Sequence, residues 1–340
     1  MNRIHRDESA LYYACGYSCD NAIYLRLGEE AYFITDGRYT VDAEAHVRGA
    51  RVITTRNLPK AAAKRIAKSG VRKITYDPME WDVYTFERLR SHTRVSWKAR
   101  PRLSQKERII KRPDEIGLLE EAVAIGAAAF DAFAARVARE GPGMNERQLH
   151  QLATVTLQGD EGRPLSFDPI VAIGSNAAKP HAHPERKTCL HRGDLLLFDA
   201  GIKHRRYCSD RTRTARVTKN FAFDIDQRFR DKQTLKAYDA VRKAHDRAIA
   251  KARSGMRARK VDALARDVID KAGFGKYFVH GTGHGVGLDI HELPVISSRS
   301  RTRIEDGMVY TVEPGIYLPG KFGIRIEDMV VMENGRARVL

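Results

Sequence analysis

The feature that most constrains the fold is an order of elements that occurs twice along the chain. Helical stretches over residues 114–139 and 231–253 each lead to a Gly-Met pair and then to a second helix. Strand-like sequence follows each helical pair, at 166–173 in the first half and 277–280 in the second, and a pair of acids comes after it. Because order is harder to match by chance than a single dipeptide, we interpret the pattern as a duplicated α/β unit.

The helix starts in the first copy carry recognisable end signals. Pro113-Asp114-Glu115 places a proline and then two acids in a first turn, where a fixed φ and the helix dipole favour them. Asn145 and Gln148 have the spacing of a capping box. These signals predict helices beginning at Pro113 and just after Asn145.

The first hundred residues alternate strand-like and helical sequence. The β-rich runs 22–27 and 31–35 flank a Gly-Glu-Glu turn and predict a hairpin. A helical run over 58–68 reaches Gly70 and is followed by a strand-like run over 71–76. This alternation indicates a small α/β domain.

A basic stretch over residues 100–113 contains two prolines, and we interpret it as a linker. It divides the chain of 340 residues into a domain of 1–112 and a domain of 113–340. Both lengths are sufficient for a hydrophobic core of their own.

The composition excludes several classes of protein. A hydrophobic fraction of 42% is globular rather than disordered, and no apolar run reaches the roughly 20 residues of a spanning helix. The first ten residues lack the apolar core of a secretory signal. The four cysteines have no CxxC spacing, so the sequence predicts a cytoplasmic protein with reduced thiols and no membrane partner.

The net charge of +17 is the one unusual bulk property. The excess is +10 over residues 1–112 and +7 over 113–340, with no basic tail and no long run of like charge. A spread of this kind is more typical of a solvated surface than of a nucleic-acid site. Nucleic-acid binding is therefore the minority hypothesis.

Acidic residues stand at the ends of apolar strand-like runs. The run 195–198 ends in Asp199, and Asp210 follows eleven residues later, before another strand-like run. A hairpin of the two strands would bring both carboxylates to one place. Tyr310-Thr311-Val312 likewise ends in Glu313. An acid at the end of a buried strand is costly unless something pairs with it.

The segment 280–291 carries His280, His284 and His291 among four glycines. It is neither a GxGxxG nucleotide fingerprint nor a P-loop, and His291 does not begin an HExxH zinc helix. Glycines allow the backbone to bring imidazoles close to a ligand. A purely structural role is reasonable for any one of these histidines but poor for all three.

A further short strand pattern, 324–327, places Arg325 and Glu327 on one face by the period of two. Four carboxylates and one imidazole then form a set suited to two divalent ions, which would be Mn, Co, Fe or Zn. Two dications balance the four negative charges, whose mutual repulsion otherwise favours protonation. The predicted metal ligands are Asp199, Asp210, His284, Glu313 and Glu327.

Six ordered motifs between residues 166 and 328 resemble one family. They read SFDPIVAIGSNAAKPHAHP, GDLLLFDAG, SDRTRT, HGTGHGVGLDIHE, GMVYTVEPGIY and GIRIED. The sequence is similar to the creatinase, prolidase and methionine-aminopeptidase superfamily of dinuclear metallopeptidases. The resemblance implies an α/β (α+β) architecture: a small α/β N-terminal domain and a pita-bread catalytic domain with an internal pseudo-twofold repeat. ITDGRYTVDA at 34–43 resembles the N-terminal domain of prolidases and aminopeptidase P, which methionine aminopeptidases lack.

The resemblance also implies roles for individual residues. Asp199 would bind one ion, His284 and Glu313 the other, and Asp210 and Glu327 would bridge them. Glu313 would in addition take a proton from the attacking water.

Three histidines, His181, His280 and His291, would position the substrate and stabilise the tetrahedral intermediate. His181 is preferred over His183 because it follows a proline, as in the family's Pro-His motif. Tyr317 and Arg325 would support the site.

The implied activity is hydrolysis of the Xaa-Pro bond in dipeptides or at peptide N-termini, by a chain that forms a homodimer. In archaeal-type prolidases an arginine follows His-Glu-x-Pro, whereas this chain has Val295. Valine at this position favours longer peptides as substrates, whereas the short first domain favours dipeptides. The sequence therefore leaves both classes of substrate possible. The alternatives are a methionine-aminopeptidase-like peptidase and a non-catalytic binding protein of the same fold that uses its basic surface.

Overall fold

The computed structural model describes residues 2–340, which belong to two compact units divided between Arg108 and Ile109. Each unit has its own sheet or sheets and its own apolar cores.

The first unit is built around a mixed six-stranded sheet with the strand order β4-β3-β2-β1-β5-β6. Strands β1, β2 and β3 are antiparallel neighbours, and β4, β5 and β6 each pair in parallel. Its elements are β1 (Arg3–His5), α1 (Glu8–Cys15), β2 (Ala22–Leu27), β3 (Glu30–Thr35), α2 (Thr40–His46), β4 (Arg51–Thr54), α3 (Leu58–Ser69), β5 (Lys73–Tyr76), α4 (Val83–Ser91), β6 (Ser96–Ala99) and α5 (Leu103–Glu107).

The predicted elements of this unit are confirmed. Strands β2 and β3 form the hairpin, with Ala22 opposite Thr35. Helix α3 begins at the side-chain cap of Asn57 and ends at Gly70, whose φ of 69° suits a residue without a Cβ.

The stretch 100–113 differs from the linker that we predicted. It contains α5, and both Leu103 and Arg108 are buried. The amide of Leu103 donates to Asp77, and Arg108 donates to the hydroxyl of Ser104. The basic residues here are thus partly structural, because the fold satisfies their hydrogen bonds internally.

The first half of the second unit pairs a helical hairpin with a three-stranded antiparallel sheet of order β11-β8-β7. Its elements are α6 (Pro113–Glu140), α7 (Glu146–Gln158), β7 (Ile170–Ile173), β8 (Leu195–Ala200), β9 (Lys203–His204), β10 (Tyr207–Cys208) and β11 (Arg211–Arg216). The predicted helix start at Pro113 and the capping box of Asn145 with Gln148 are both present.

The second half repeats the order with a five-stranded antiparallel sheet, β13-β12-β14-β17-β18, and a separate hairpin of β15 and β16. Its elements are α8 (Lys232–Lys251), α9 (Ala258–Lys271), β12 (Gly283–Gly285), β13 (Glu292–Ile296), β14 (Val309–Val312), β15 (Gly315–Leu318), β16 (Phe322–Arg325), β17 (Asp328–Glu333) and β18 (Arg336–Val339). The duplicated order of helices, strands and acids is therefore confirmed.

The predicted strand over residues 277–280 is wrong. Residues 277–280 follow a short 3₁₀ turn and form no strand, and β12 begins at Gly283 instead. The ring of His280 is fixed there by hydrogen bonds to the Gly281 carbonyl and to Tyr317 rather than by strand pairing.

The second unit has two apolar cores, one within the first half and one formed mainly by the second half with first-half side chains such as Leu195 and Leu197. In the first half, Phe130 and Phe133 of α6 pack on Phe198 of β8 with ring centroids 4.4 Å apart. In the second half, small residues of α8 and α9 such as Ala244 and Ala265 are fully buried against the sheet. Among residues 2–340, no helix combines the length and the apolar character that crossing a membrane requires.

Candidate metal centre

A cavity of about 340 Å³ in the second unit is lined by all five predicted metal ligands. The predicted histidines and Arg325 also line it, while Tyr317 lies behind Arg325 within hydrogen-bonding distance. The members of this set are Asp199, Asp210, His284, Glu313 and Glu327, with His181, His280, His291 and Arg325.

The hairpin of β8 and β11 positions the two aspartates. Asp199 lies in β8 directly opposite Thr212 of β11, and Asp210 immediately precedes β11. Their exposed fractions are 8% and 6%, although both side chains are acidic. The predicted pairing of the two strands is confirmed.

His284 reaches the aspartates from β12, where two glycines allow close contact between backbones. A Cβ at Gly283 would lie 1.9 Å from the Thr311 carbonyl oxygen, and one at Gly285 would lie 2.2 Å from that of Leu293. No side chain fits either position, so the two glycines are required for the strand to hold His284 where it is.

The imidazole of His284 is oriented by its own backbone. Its Nδ1 lies 3.1 Å from the Gly285 carbonyl, which can only accept, so Nδ1 carries the proton. Nε2 then presents a lone pair 3.6 Å from Asp210 Oδ2 and 3.5 Å from Glu313 Oε1. This is the tautomer that a metal-ligating histidine needs.

The two glutamates come from the second half. Glu313 directly follows β14, and Glu327 lies in the break between β16 and β17, where its carboxylate accepts from Thr212 Oγ1 at 2.5 Å. We predicted that Arg325 and Glu327 share one continuous strand, and this prediction is wrong. Both side chains nevertheless line the same cavity. Ligand atoms of Asp210, His284 and Glu327 all lie within 4.8 Å of one another.

Arg325 is the buried cation of the site, with an exposed fraction of 4%. Its Nη2 lies 2.5 Å from Asp199 Oδ2, and its Nε donates to Thr212 Oγ1 at 3.0 Å. Its Nη1 donates to the Tyr317 hydroxyl at 2.7 Å. One guanidinium cannot balance four carboxylates in the same cavity.

The excess negative charge changes the acidity of the carboxyl groups. Burial, together with repulsion from neighbouring carboxylates, raises the pKa of Asp210 and of Glu327 well above the usual range. Burial raises the pKa of Glu313 to about 7 despite the attraction of Arg325. Positive charge in the cavity would relieve all three shifts.

The donor atoms present fit divalent cations. Asp199 Oδ1 is buried and has no hydrogen-bond partner among residues 2–340, and an orphaned carboxylate oxygen of this kind is costly. The set combines carboxylate oxygens with one neutral imidazole nitrogen, which are donors for Mn, Fe, Co and Zn. Hence the cavity has the chemistry of a metal centre.

A hydrogen-bonded chain runs from the guanidinium to a histidine. The Tyr317 hydroxyl accepts a hydrogen bond from Arg325 Nη1 and lies 2.9 Å from His280 Nε2, while His280 Nδ1 lies 2.7 Å from the Gly281 carbonyl. Burial, followed by repulsion from Arg325, lowers the pKa of His280 to about 4. His280 is therefore a neutral group at pH 7 with a fixed tautomer.

The other two histidines lie nearer solvent. The ring of His291 packs against His284 with centroids 4.3 Å apart and planes at 63°. His181 and His183 both line the cavity and both are exposed, so the choice of His181 remains a prediction.

Sequence reasoning missed two threonines that hold the ligands. The Thr212 hydroxyl forms hydrogen bonds with Glu327 and Arg325, and the Thr311 hydroxyl lies 3.4 Å from Glu313 Oε1. Each is two residues from a predicted ligand along a strand. The period of two was therefore the signal that would have found them.

The site lies within a segment that matches a known family. Residues 117–334 match the model of metallopeptidase family M24. The chain belongs to this family, and its second unit has the pita-bread fold of the prolidases that resemble it.

Three relatives cover nearly the whole chain. An uncharacterised peptidase of Bacillus subtilis is 34% identical over 333 residues, which are 96% of this chain and 90% of that protein. The structure of an Xaa-Pro dipeptidase from Bacillus anthracis superposes with a TM-score of 0.91 at 30% identity, covering 99% of this chain and 92% of the other. The structure of an X-Pro aminopeptidase from Thermotoga maritima superposes with a TM-score of 0.86 at 29% identity, covering 99% of this chain and 94% of the other.

Proposed function

We propose that this enzyme hydrolyses the peptide bond between any residue and proline, using two divalent ions held in the cavity. The observation that carries the proposal is the largely buried set of four carboxylates and a neutral imidazole, whose cavity is lined by only one arginine or lysine, Arg325, among residues 2–340. The relatives named Xaa-Pro dipeptidase and X-Pro aminopeptidase support the substrate class.

Each ligand has a distinct place in the proposed centre. Asp199 would hold one ion through its orphaned Oδ1, and His284 and Glu313 would hold the other. Asp210 and Glu327, whose oxygens approach each other near His284, would bridge the two. Manganese, cobalt, iron and zinc all suit this donor set.

Divalent ions in such a centre act as Lewis acids and lower the pKa of a water to near neutrality. Glu313 is the residue that accepts the proton of the attacking water. Its carboxylate lines the cavity 3.5 Å from His284 Nε2, and bound cations would keep it in the ionised form that a general base requires.

The histidines supply hydrogen bonds to the substrate. His291 and His181 lie at the solvent side of the cavity, where they can donate to the scissile carbonyl as negative charge develops on it. His280 is held by Tyr317 and Arg325, so it presents a neutral imidazole in a fixed orientation.

The substrate's chemistry explains why a dedicated pocket is needed. An Xaa-Pro bond has no N–H, so a peptidase cannot grip it through that donor. Phe167, Pro169 and Ile170 give the cavity apolar walls suited to a pyrrolidine ring.

Further features belong to the same proposal. Residues 1–112 would be a creatinase/prolidase-like domain that limits substrate length, and residues 113–340 the catalytic domain. The enzyme would act in the cytoplasm as a homodimer on proline-containing peptides.

Metal analysis and product identification test the proposal together. The purified protein, loaded with Mn²⁺ and dialysed, should retain two ions per chain, and the Asp210→Asn variant should retain fewer, because a bridging carboxylate contacts both ions. Asp194→Asn, near the start of β8 and outside the cavity, is the matched control and should retain two. A wild-type protein that retains no ion would contradict the proposal.

Substrate length decides between the two kinds of activity. The loaded enzyme is offered Ala-Pro and Ala-Pro-Ala, and free amino acids and dipeptides are identified by mass spectrometry. Cleavage of Ala-Pro alone defines a dipeptidase, and cleavage of Ala-Pro-Ala to alanine and Pro-Ala defines an aminopeptidase. Cleavage of Met-Ala-Ala in preference to both would instead support the methionine-aminopeptidase alternative.

A further inference from the structure

A second cavity, of about 280 Å³, is lined by the strand that follows Asp210. A water takes up roughly 30 Å³ in the liquid, so the space exceeds that of a single trapped water. Asp210 lines both this cavity and the metal centre.

The alternation of β11 separates the two cavities. Thr212 points to the metal centre, where it bonds Glu327 and Arg325. Its neighbours Arg211 and Arg213 therefore point the other way, and both line the second cavity.

The two arginines differ in how their charge is balanced. Arg213 Nη2 donates to Asp328 at 2.7 Å, and its Nη1 donates to the Thr212 carbonyl at 3.0 Å. Arg211, by contrast, has no ion pair and no side-chain hydrogen bond among residues 2–340, and its Nε is buried without a partner. Its guanidinium carbon lies over the ring of Phe130, 5.3 Å from the ring centroid.

The charges of Arg213, Asp328 and Asp131 all act on Arg211, but neither acid forms an ion pair with its guanidinium among residues 2–340. A guanidinium that lines a cavity and has no directly bound counterion can bind an anion, which would supply the missing hydrogen-bond acceptors.

The walls of the cavity restrict the anion. Ala127 of α6, Met329 and Val339 supply apolar surface, which favours a ligand with a hydrocarbon part. The carboxylates of Asp210 and Asp328 also line the cavity and would repel a second negative charge. A monoanion with a short aliphatic chain fits both conditions better than phosphate.

We propose that this cavity binds a small aliphatic carboxylate, whose anionic group pairs with the Arg211 guanidinium and whose hydrocarbon part packs on Met329 and Val339. The site is separate from the proposed catalytic cavity and shares only Asp210 with it. A ligand there contacts the wall that holds a metal ligand without entering the substrate's space.

Isothermal titration calorimetry of the metal-loaded, full-length protein with butyrate tests the proposal, with ionic strength held constant by chloride. We expect saturable binding that weakens by about tenfold or more in Arg211→Met, since hydrogen bonds to a charged group contribute about 1.5–3 kcal/mol. Ala127→Leu, which fills the cavity from the side of α6 and leaves the arginine in place, should weaken binding similarly. Arg192→Met removes one charge from an exposed position and should bind as the wild type does.

Three results with butyrate would overturn the proposal. They are the absence of saturable butyrate binding to the wild type, an unchanged affinity in both cavity variants, and an equal loss in Arg192→Met, which would reflect the overall positive charge. Tighter binding of inorganic phosphate than of butyrate would also contradict it, because the acidic wall would then not be selecting a monoanion. Binding at the metal centre is recognised by its persistence in both cavity variants.

Discussion

The two halves of the second unit have the same order of elements but bring their donors to the cavity by different means. The first half uses a regular hairpin, in which Asp199 and Thr212 are opposite neighbours. The second half uses β12, a three-residue strand that packs so closely on its neighbours that Gly283 and Gly285 cannot carry side chains. In the first half, regular strand pairing positions the aspartates. In the second half, the imidazole of His284 is positioned because the two glycines beside it have no side chains.

This difference suggests a division of work between the halves. Of the predicted metal ligands, the first half contributes two acids, whereas the second contributes two acids and the imidazole, together with the buried cation Arg325. Substitutions in the second half should therefore affect both chemistry and charge balance.

The largest expected effect is that of Glu313→Gln, which keeps the shape of the side chain but removes the proton acceptor. Loss of a general base lowers kcat by about 10²–10⁴-fold. Steady-state kinetics on an Xaa-Pro peptide in defined Mn²⁺ measures it, and metal content is checked in parallel. Glu305→Gln, on the exposed surface, should keep full activity. Near-normal turnover in Glu313→Gln would contradict the role of Glu313, and with it of the second half, as the source of the proton acceptor.

The next largest effect is that of Arg325→Met on the metal-free protein. The substitution leaves Asp199 buried without its ion pair, which costs about 3–5 kcal/mol in the free energy of unfolding. Saturating Mn²⁺ should reduce that loss, since the ions replace the missing charge. Urea unfolding with and without metal measures both values. Arg338→Met breaks only exposed pairs and should cost about 1 kcal/mol or less; an equal cost in both variants would contradict the role of Arg325.

Gly283→Ala tests whether the second half depends on close backbone packing. A Cβ 1.9 Å from the Thr311 oxygen forces the strands apart, with an expected cost of about 1–3 kcal/mol and a weaker affinity for metal through His284. Gly117→Ala in α6, where no atom lies within 4 Å of the new Cβ, should be neutral or stabilising by about 0.5–1 kcal/mol. Thermal denaturation and metal titration compare the two; equal behaviour would show that β12 has room to adjust.

The smallest effect compares the equivalent helix starts of the two halves. Helix α7 begins with the capping box of Asn145, whereas Arg257 at the start of α9 has no side-chain cap. Asn145→Ala should lose about 1 kcal/mol, and Arg257→Asn should gain a similar or smaller amount, because Arg257 already has the extended backbone of a cap. The free energies of unfolding of the two variants should therefore change in opposite directions.

The sequence was most informative where chemistry and periodicity coincide. The hairpin that joins Asp199 to Asp210 and the strand that ends at Glu313 followed from apolar runs that terminate in acids. The helix starts at Pro113 and Asn145 followed from local capping, which depends only on neighbouring residues.

The sequence was least informative where tertiary contacts override local preference. The glycines of β12 have the composition of a loop, and they form a strand only because neighbouring backbones fill the space of the missing side chains. The basic stretch 100–113 resembles a solvated linker, but Lys111 is buried in an ion pair with Glu292, which lies far away in the sequence. Such partners leave no local pattern.

The raised pKa values at the centre have a consequence for how the enzyme acquires metal. With a pKa of about 7, the Glu313 carboxyl group of the metal-free centre is about half protonated at neutral pH, and the pKa values of Asp210 and Glu327 are shifted in the same direction. An incoming cation competes with protons for these carboxylates, so metal binding becomes more favourable as the pH rises. The enzyme's metal content is thereby set jointly by the supply of free cations and by the acidity of its surroundings.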